Sequence, residues 1–505
     1  MAINFSVYSG KSVTHLQQYL NKINAVGLVR FEGPRVYLDT FDRRLLRKKT
    51  GLYLQKNDLT YVSPDCEYPD SIKVKRIPKR PEDLPPGNIR AILESVIGVR
   101  ALMPMIKEKI CSEHYAVMDV NQKTVLRITI EKAVSHENMP VVIQLYPVKG
   151  YEEAITNISA ELPDLGFHPD ERNFFKYLIE KNQIITDRYS TQKSYPINSN
   201  MTVAQAIQAI HRQLLSIMRE NEGGIIKDID TEFLHDFRVA VRRIRSLYGQ
   251  AKHVISASVF RQVKTDFSEL GRRTNRLRDI DVYLLNRSSY ENLLPAPMQD
   301  VLKIFFDQLK WDRKAEHSRF ARYLQSDIYH KTIAKWEKYL AEDSTVLTIE
   351  ELPVMDFACA QILQKYQRVL ESGDRITDQT PDAKLHKLRI AGKKLRYTLE
   401  FFTRLFDSEV VADMIRHLKK LQDNLGAFND LSIQQKYLHD FAVDFESADG
   451  DLRPTIIAFG VLIGRLYTQQ RRVRQEFSEN YEYFSETRNS KWIDELSNFK
   501  KTDLL

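Results

Sequence analysis

Two basic segments of the chain carry the residue types that bind anions. The first covers residues 234–245 and reads LHDFRVAVRRIR, and the second covers 385–396 and reads LHKLRIAGKKLR. At roughly 100° per residue, one histidine and three cations of each segment fall within about 80° of a single helix face. Arginine pairs two phosphate oxygens through its planar fork, and lysine adds a point charge. The spacing therefore predicts two cationic stripes, which consist of His235, Arg238, Arg242 and Arg245 and of His386, Arg389, Lys393 and Arg396.

Each basic segment also has an apolar stripe, about 110° further round the same helix. The apolar residues are Phe237, Val241, Ile244 and Tyr248 in the first segment and Leu388, Leu395 and Leu399 in the second. Burial of this stripe in a helical bundle would leave the cations on an open face. Residues 385–399 contain no carboxylate, so no partner one turn away neutralises the second stripe. Both helices are predicted to attract a ligand with many negative charges.

The basic segments belong to a longer internal repeat. The second follows the first after 151 residues, and His235 precedes Asp279 by the same 44 residues that separate His386 from Asp430. A repeat of this length predicts two similar helical bundles related by pseudo-twofold symmetry. Such symmetry would bring the two cationic faces together.

Composition narrows the class of protein without naming a ligand. A net charge of +8 over 505 residues is small, so the cations must be concentrated on particular faces to capture a polyanion. No apolar run reaches the roughly 18 residues of a membrane span, and the first residues lack the basic lead and apolar core of a signal peptide. Three widely spaced cysteines offer no metal-site spacing and are typical of a reducing compartment. We therefore expect a cytoplasmic protein with no membrane partner.

The pattern of apolar residues changes along the chain and predicts two domains. Residues 1–187 combine strand-like and helix-like segments and indicate an α+β domain, and residues 188–200 form a polar linker. Residues 201–505 show 3.6-residue periodicity and indicate an all-α domain, with repeats at about 201–345 and 353–490. The expected strands of the first domain include 36–40, 52–55, 71–75, 125–130 and 141–145, and its expected helices are 12–23 and 152–162.

The helical part resembles the CHAD family, the conserved-histidine α-helical domain, over roughly residues 200–490. The resemblance rests on four motifs in order, which are the two basic segments and the stretches 278–282 and 421–430. It implies two bundles around a basic channel that binds inorganic polyphosphate, and some members of the family associate with polyphosphate granules. The phosphate-binding residues in this interpretation are His235, Arg238, Arg242, Arg243, Arg245, Arg272, Arg273, Arg276, His386, Arg389, Lys393, Lys394, Arg396, Lys419 and Lys420.

Two stretches of the N-terminal part, YLDTFDRRLL at residues 37–46 and VIQLYPVKGY at 142–151, resemble motifs of the CYTH domain. This part is therefore similar to a diverged CYTH domain, the antiparallel β tunnel that holds triphosphates and is often fused to CHAD. Active members begin with a Glu-x-Glu-x-Lys strand, whereas this chain begins with INFSV at residues 3–7. Tyr53 and Gln55 replace an arginine pair, and Gln144 and Tyr146 replace a glutamate pair. Without these carboxylates the site could not hold two metal ions. We expect a catalytically inactive domain without metal or cofactor.

The resulting functional hypothesis is a non-enzymatic protein that binds inorganic polyphosphate and is recruited, with granule proteins, to polyphosphate granules or to polyphosphate metabolism. The alternative is a metal-dependent triphosphatase or polyphosphatase that uses the N-terminal domain. Nucleic acid is the less favoured polyanion, because few aromatic residues accompany the basic faces and Tyr397 is the nearest. His235 and His386 are open to a structural role or a phosphate contact, and Asp279, Asp281 and Asp430 are interpreted as partners of the neighbouring arginines.

Overall fold

The computed structural model divides the chain into two compact units, Met1–Ser190 and Thr191–Leu505. The division lies inside the stretch 188–200 that the sequence predicts as a linker. The structure describes residues 3–8, 10–63, 68–136, 138–186, 189, 194–341, 352–444, 453–489 and 491–498.

The N-terminal unit is built on one antiparallel sheet of nine described strands. In sheet order the strands are β5, β4, β3, β2, β6, β7, β8, β1 and β9. Their bounds are β1 Ile3–Val7, β2 Ala25–Asp39, β3 Gly51–Gln55, β4 Asp58–Val62, β5 Asp70–Lys73, β6 Met103–Met118, β7 Thr124–Ala133, β8 Val141–Pro147 and β9 His168–Asp170. Five helices accompany the sheet: α1 Gly10–Lys22, α2 Arg44–Arg47, α3 Asn88–Ile97, α4 Glu152–Glu161 and α5 Phe174–Lys181.

The sequence predictions for this unit are confirmed at the level of elements. The five expected strands coincide with β2, β3, β5, β7 and β8, and the two expected helices coincide with α1 and α4. A contact between distant strands shows that the sheet curls strongly. Tyr68, just before β5, contacts Tyr146 in β8, with their ring centroids 5.2 Å apart. Five strands lie between β5 and β8 in the sheet order. The curl creates a concave interior.

The C-terminal unit is helical throughout its described residues, as the sequence predicts. The first half contains α6 Val203–Ile226, α7 Thr231–Gln250, α8 Ala257–Leu285, α9 Arg287–Asn292, α10 Ala296–Gln299, α11 Leu302–Leu324 and α12 Asp327–Ala341. The second half contains α13 Val354–Gly373, α14 Asp382–Phe402, α15 Ser408–Asp444, α16 Arg453–Gln475, α17 Phe477–Ser485 and α18 Lys491–Asn498. Among the described helices, none is both long enough and apolar enough to cross a membrane.

The helix starts repeat with the spacing of the basic segments. Helices α6, α7, α8 and α11 have counterparts in α13, α14, α15 and α16. The paired first residues are Val203 and Val354, Thr231 and Asp382, Ala257 and Ser408, and Leu302 and Arg453, and each pair is 151 residues apart. The repeat therefore extends over four helices of each half.

The apolar stripes place the two basic helices, α7 and α14. Phe237, Val241 and Ile244 of α7 are buried, and so are Leu388 and Leu395 of α14. Burial of each such side chain stabilises the fold by about 1.5–3 kcal/mol. Because the stripes are fixed in the core, the cationic stripes must lie on the remaining faces of the same helices.

One predicted helix break lies a few residues later in the structure than the sequence pattern indicates. The pattern indicates a break near Gly223 and Gly224, but α6 continues through both to Ile226. The glycine is needed for a close approach, because a Cβ atom at Gly224 would lie 2.1 Å from the Cδ1 atom of Phe233. The following helix, α7, starts where the Asp230 carboxylate accepts hydrogen bonds from the backbone N–H groups of its first turn.

The second part of the predicted linker belongs to the helical unit. Tyr195 and Ile197 are buried, and the ring of Tyr195 lies 5.6 Å from that of Phe401 in α14. Apolar contact fixes this segment despite its polar composition. Residues 187, 188 and 190–193 of the linker region lie outside the described residues.

Candidate anion-binding site

The two basic helices, α7 and α14, contact each other within the C-terminal unit. Arg243 of α7 donates a hydrogen bond to the Glu400 carboxylate of α14 at 2.7 Å. Thr398 of α14 donates to the amide oxygen of Gln250 in α7, also at 2.7 Å. These polar contacts cross between the two repeats and hold the helices side by side.

The cationic stripes meet next to this contact. Burial first, and then repulsion from Arg389, Arg242 and Arg396, lowers the pKa of Lys393 to about 8. Arg242 belongs to α7 and the other three residues belong to α14, so charges from both repeats share one electrostatic environment. We call the group formed by Arg238, Arg242, Arg389, Lys393 and Arg396 the cationic cluster.

Arg238 is held in the cluster by neutral groups. Its Nη1 atom donates to the hydroxyl oxygen of Thr274, to the amide oxygen of Asn275 at 3.0 Å and to the carbonyl oxygen of Gly271 at 3.3 Å. Burial, followed by repulsion from Arg242 and Arg278, lowers the pKa of Arg238 to about 10, although Asp279 acts in the opposite direction. Its hydrogen bonds therefore orient the guanidinium without neutralising it.

The α14 side of the cluster is supported by α15. Gln422 of α15 donates to the carbonyl oxygen of Gly392 at 2.6 Å and accepts from Nη1 of Arg396 at 3.5 Å. Arg389 contacts the Asp430 carboxylate at 3.2 Å, and Arg396 contacts Glu400 at 2.7 Å. Helix α15 thus supplies a neutral amide to one arginine and a carboxylate to the other.

Cations outnumber carboxylates around the cluster. Among the described residues, the carboxylates that act on it are Asp279, Asp430 and Glu400, and Glu400 is shared between Arg396 and Arg243. The surrounding cations are Arg238, Arg242, Arg243, Arg278, Arg389, Lys393 and Arg396. The excess of positive charge raises the free energy of the empty site and favours a bound polyanion.

The structure places the two predicted histidines differently. His386 is exposed, and its Nδ1 atom lies 2.6 Å from the amide oxygen of Asn429. This contact leaves the other ring nitrogen directed elsewhere and can fix the ring orientation. His235 is half-buried on α7.

Several other predicted ligands have carboxylate partners in this structure. Arg272 and Arg273 contact Glu269 at 2.6 and 2.8 Å, and Arg276 contacts Asp312 at 2.8 Å. Lys420 lies 3.4 Å from Glu479. The remaining predicted residues, Arg245, Lys394 and Lys419, are exposed.

Arg278 is a member of the site that the motif contains but the sequence does not single out. It contributes to the repulsion on Arg238, and its Nη1 atom is buried without a hydrogen-bond partner among the described residues. Its position in the stretch 278–282, beside Asp279, is the signal that could have identified it.

The N-terminal unit contains a separate pocket of about 260 Å³ in the concave interior of its sheet. The four residues that depart from the CYTH pattern all line this pocket: Tyr53, Gln55, Gln144 and Tyr146. Its buried arginine, Arg35, forms an ion pair with Glu131 and donates to Gln55 at 2.8 Å. The pocket therefore balances its positive charge internally.

The part of the chain that the structure describes contains no group of three or more histidine, cysteine or carboxylate side chains that could hold a metal ion.

The fold and the site together define a class of protein in which an antiparallel β unit precedes a tandem helical repeat with adjoining basic helices. The CHAD-domain family model matches residues 209–439. This chain therefore contains a CHAD domain, as the motifs predict. No curated protein matches the chain.

Solved structures similar to the chain include the CHAD domain from the plant Ricinus communis, with 23% identity and a TM-score of 0.49, over 57% of this chain and 94% of that one. PptA from Streptomyces chartreusis matches with 16% identity and a TM-score of 0.43, over 55% of this chain and 98% of that one. A putative adenylate cyclase from Vibrio parahaemolyticus matches with 10% identity and a TM-score of 0.24, over 35% of this chain and 96% of that one. The identity of the N-terminal unit as a CYTH domain stays a prediction.

Proposed function

We propose that this protein binds inorganic polyphosphate on the cationic cluster between α7 and α14. The observation that supports the proposal is the juxtaposition of cations from both repeats where α7 contacts α14, which, together with burial, lowers the pKa of Lys393 to about 8. A lysine in this environment is stabilised in its charged form by a bound anion. A linear polymer with a charge on every unit can neutralise many such groups at once.

The surroundings of the cluster favour a phosphate polymer over nucleic acid. Nonspecific binding of single strands relies on aromatic side chains that stack on bases. Tyr397, the aromatic residue nearest to the basic stripe in sequence, is half-buried, and its ring lies 6.4 Å from that of Phe401. It is therefore engaged in the helical core, and the cluster contacts a ligand through charge and hydrogen bonds.

In this proposal the protein is a binding module in the cytoplasm, and polyphosphate binding recruits it to polyphosphate granules and their proteins. The charge-balanced pocket of the N-terminal unit gives no support to triphosphate hydrolysis there. Tyrosine and glutamine side chains in place of carboxylates offer poor ligands for Mg²⁺ or Mn²⁺.

The test is isothermal titration calorimetry with long-chain polyphosphate at two salt concentrations. Wild type should bind tightly and lose affinity as salt rises, because counterions compete for the same cations. Each charge-assisted hydrogen bond contributes about 1.5–3 kcal/mol. The Arg242→Ala/Arg396→Ala variant should therefore bind about 100-fold more weakly or worse.

The matched control is Arg261→Ala/Arg322→Ala, which removes two exposed arginines and the same net charge. It should keep the affinity of wild type within about twofold, because charges away from the site are screened by salt. Equal losses in both variants, or no binding by wild type, would contradict the proposal. Metal-dependent release of phosphate from triphosphate would support the enzymatic alternative instead.

A further inference from the structure

A groove beside the cationic cluster is lined by six cations, all but one of which lie outside the two stripes. It has a volume of about 770 Å³ and lies between the C-terminal half of α7, helix α13 and the middle of α14. We call it the α13 groove. Its basic side chains are Arg245, Lys252, Lys365, Arg368, Arg375 and Lys394.

The charges of the α13 groove are largely unmatched. Glu371 is the one carboxylate among the described residues that line it. Within the described part of the chain, Arg368, Arg375 and Lys394 form no ion pair. Burial first, and then repulsion from Lys394 and Arg368, lowers the pKa of Lys365 to about 8. The groove therefore has the same deficit of negative charge as the cationic cluster.

Most of the uncharged side chains that line the groove are hydrogen-bonding groups. Four amides and two hydroxyls line it: Gln250, Gln361, Gln364, Gln367, Ser246 and Ser372. Amide and hydroxyl donors together with lysine and arginine form a typical set of phosphate ligands. The aromatic rings in the described lining are those of His253 and Phe357, and Phe357 is buried. The chemistry fits an anion rich in acceptor oxygens and lacking an aromatic part.

The groove cations do not follow from the repeat. Lys365 and Arg368 of α13 correspond, at the spacing of 151 residues, to Leu214 and Ile217 of α6. Both of these residues are buried in the core of the first half. The second half of the CHAD domain thus has basic residues where the first half has apolar ones.

The α13 groove is continuous with the cationic cluster along both basic helices. Arg245 lies on α7 one turn after Arg242, and Lys394 follows Lys393 on α14. From Arg242 to the end of α7 at Gln250 the helix rises about 12 Å. A polymer bound on the cluster can therefore reach the groove without leaving a basic surface.

We propose that the α13 groove is a second phosphate-binding site, which takes the continuing segment of a long polyphosphate chain held on the cationic cluster. The inference rests on the proposed function and makes binding by the two halves unequal. A free phosphorylated molecule would have the same chemistry, so the experiment separates the two sources by chain length.

The experiment is calorimetry with long-chain polyphosphate and with inorganic triphosphate, on wild type and on Lys365→Ala/Arg368→Ala. For the long chain we expect an affinity loss of about tenfold or more and a smaller salt dependence, by roughly one counterion for each cation removed. Arg368→Glu changes one exposed side chain and should give the same direction of effect if the double variant folds poorly. The matched control is Arg322→Ala/Lys331→Ala, two exposed residues on α11 and α12.

The outcomes are distinguishable from those of the proposed function. An affinity for the long chain that is lower in the groove variants than in wild type, and unchanged in the control, supports the inference. Equal affinities in groove variants and control, with tight wild-type binding, overturn it and leave the cluster as the site. If the groove variants lose triphosphate binding but keep long-chain binding, the groove binds a free phosphorylated molecule instead and the inference is overturned. No binding of long chains by wild type contradicts the proposed function itself.

Discussion

Arg35 in the N-terminal pocket and Arg238 in the cationic cluster are both removed from water to a large degree, but their neighbours differ. Burial lowers the pKa of Arg35, but the paired Glu131 carboxylate, together with Tyr37 and Tyr53, outweighs burial and raises it. Arg238 bonds to a hydroxyl, an amide and a carbonyl, and burial together with Arg242 lowers its pKa to about 10. Both sites contain arginine, yet only one of them has charge to offer a ligand.

The difference between Arg35 and Arg238 shows that the carboxylate beside a cation, more than the cation itself, determines whether a site attracts anions. In the pocket, charge is matched within the protein and contributes to the fold. In the cluster, the repulsion between like charges is left unrelieved, at a cost to stability, and a ligand relieves it. Two substitutions and a change of pH test this contrast, and they follow in order of decreasing effect.

Replacing Glu131 with glutamine removes the carboxylate partner of Arg35 in the pocket while keeping the size of the side chain. The side chains of Arg35 and Glu131 are only 1% and 8% exposed, and removing one partner of a buried pair costs about 3–5 kcal/mol. We expect the free energy of opening of β2 and β7 to fall by that amount in native-state hydrogen exchange. The three tryptophans all lie in the helical unit, so their fluorescence provides an internal control.

The matched control for this change is Glu94→Gln. Glu94 forms an exposed pair with Arg90 at 2.8 Å, and such pairs contribute at most about 1 kcal/mol. Equal stability losses in the two variants would show that the buried pair has no special role in the pocket.

Replacing Gln422 with glutamate introduces a carboxylate partner for the cations of the cluster. Its side-chain oxygen already lies 3.5 Å from Nη1 of Arg396, so a carboxylate there would compete with a phosphate for that arginine. We expect polyphosphate affinity to fall about tenfold, or roughly 1.4 kcal/mol. Gln18→Glu, an exposed position on α1, adds the same charge elsewhere and should leave the affinity unchanged; a decrease there as well would indicate an effect of net charge alone.

Polyphosphate affinity should also fall a few-fold as the pH rises from 7 to 9. Lys393 has a pKa lowered to about 8, so the free protein carries this charge below pH 7 and loses it above pH 9. Binding stabilises the charged form and is coupled to proton uptake, which weakens affinity as the pH passes through 8. Calorimetry across this range should show a flatter profile for Lys393→Arg, since arginine stays charged. Identical profiles for both proteins would exclude Lys393 from the site.

Much of the fold follows from local patterns that the sequence contains. Alternating strands such as 125–130, and the helices α7 and α14 with their apolar stripes, result from side-chain periodicity against a buried face. The spacing of 151 residues identifies the repeat, and the structure extends it to four helix pairs. The break expected near Gly224 comes after Ile226 instead, because this glycine allows a close contact with Phe233, and that contact depends on packing between helices.

The candidate site likewise combines features that the sequence predicts with features that depend on packing. Residue order alone establishes that two helices present cationic stripes, because charge and periodicity are properties of that order. Which cations keep their charge available depends on tertiary contacts, because pairing involves side chains far apart in the chain. Arg276 of α8 pairs with Asp312 of α11, whereas Arg238 bonds to neutral groups. The α13 groove is the clearest case, since Lys365 and Lys394 become neighbours by packing of α13 against α14, and like charges brought together in this way leave no trace in a local pattern.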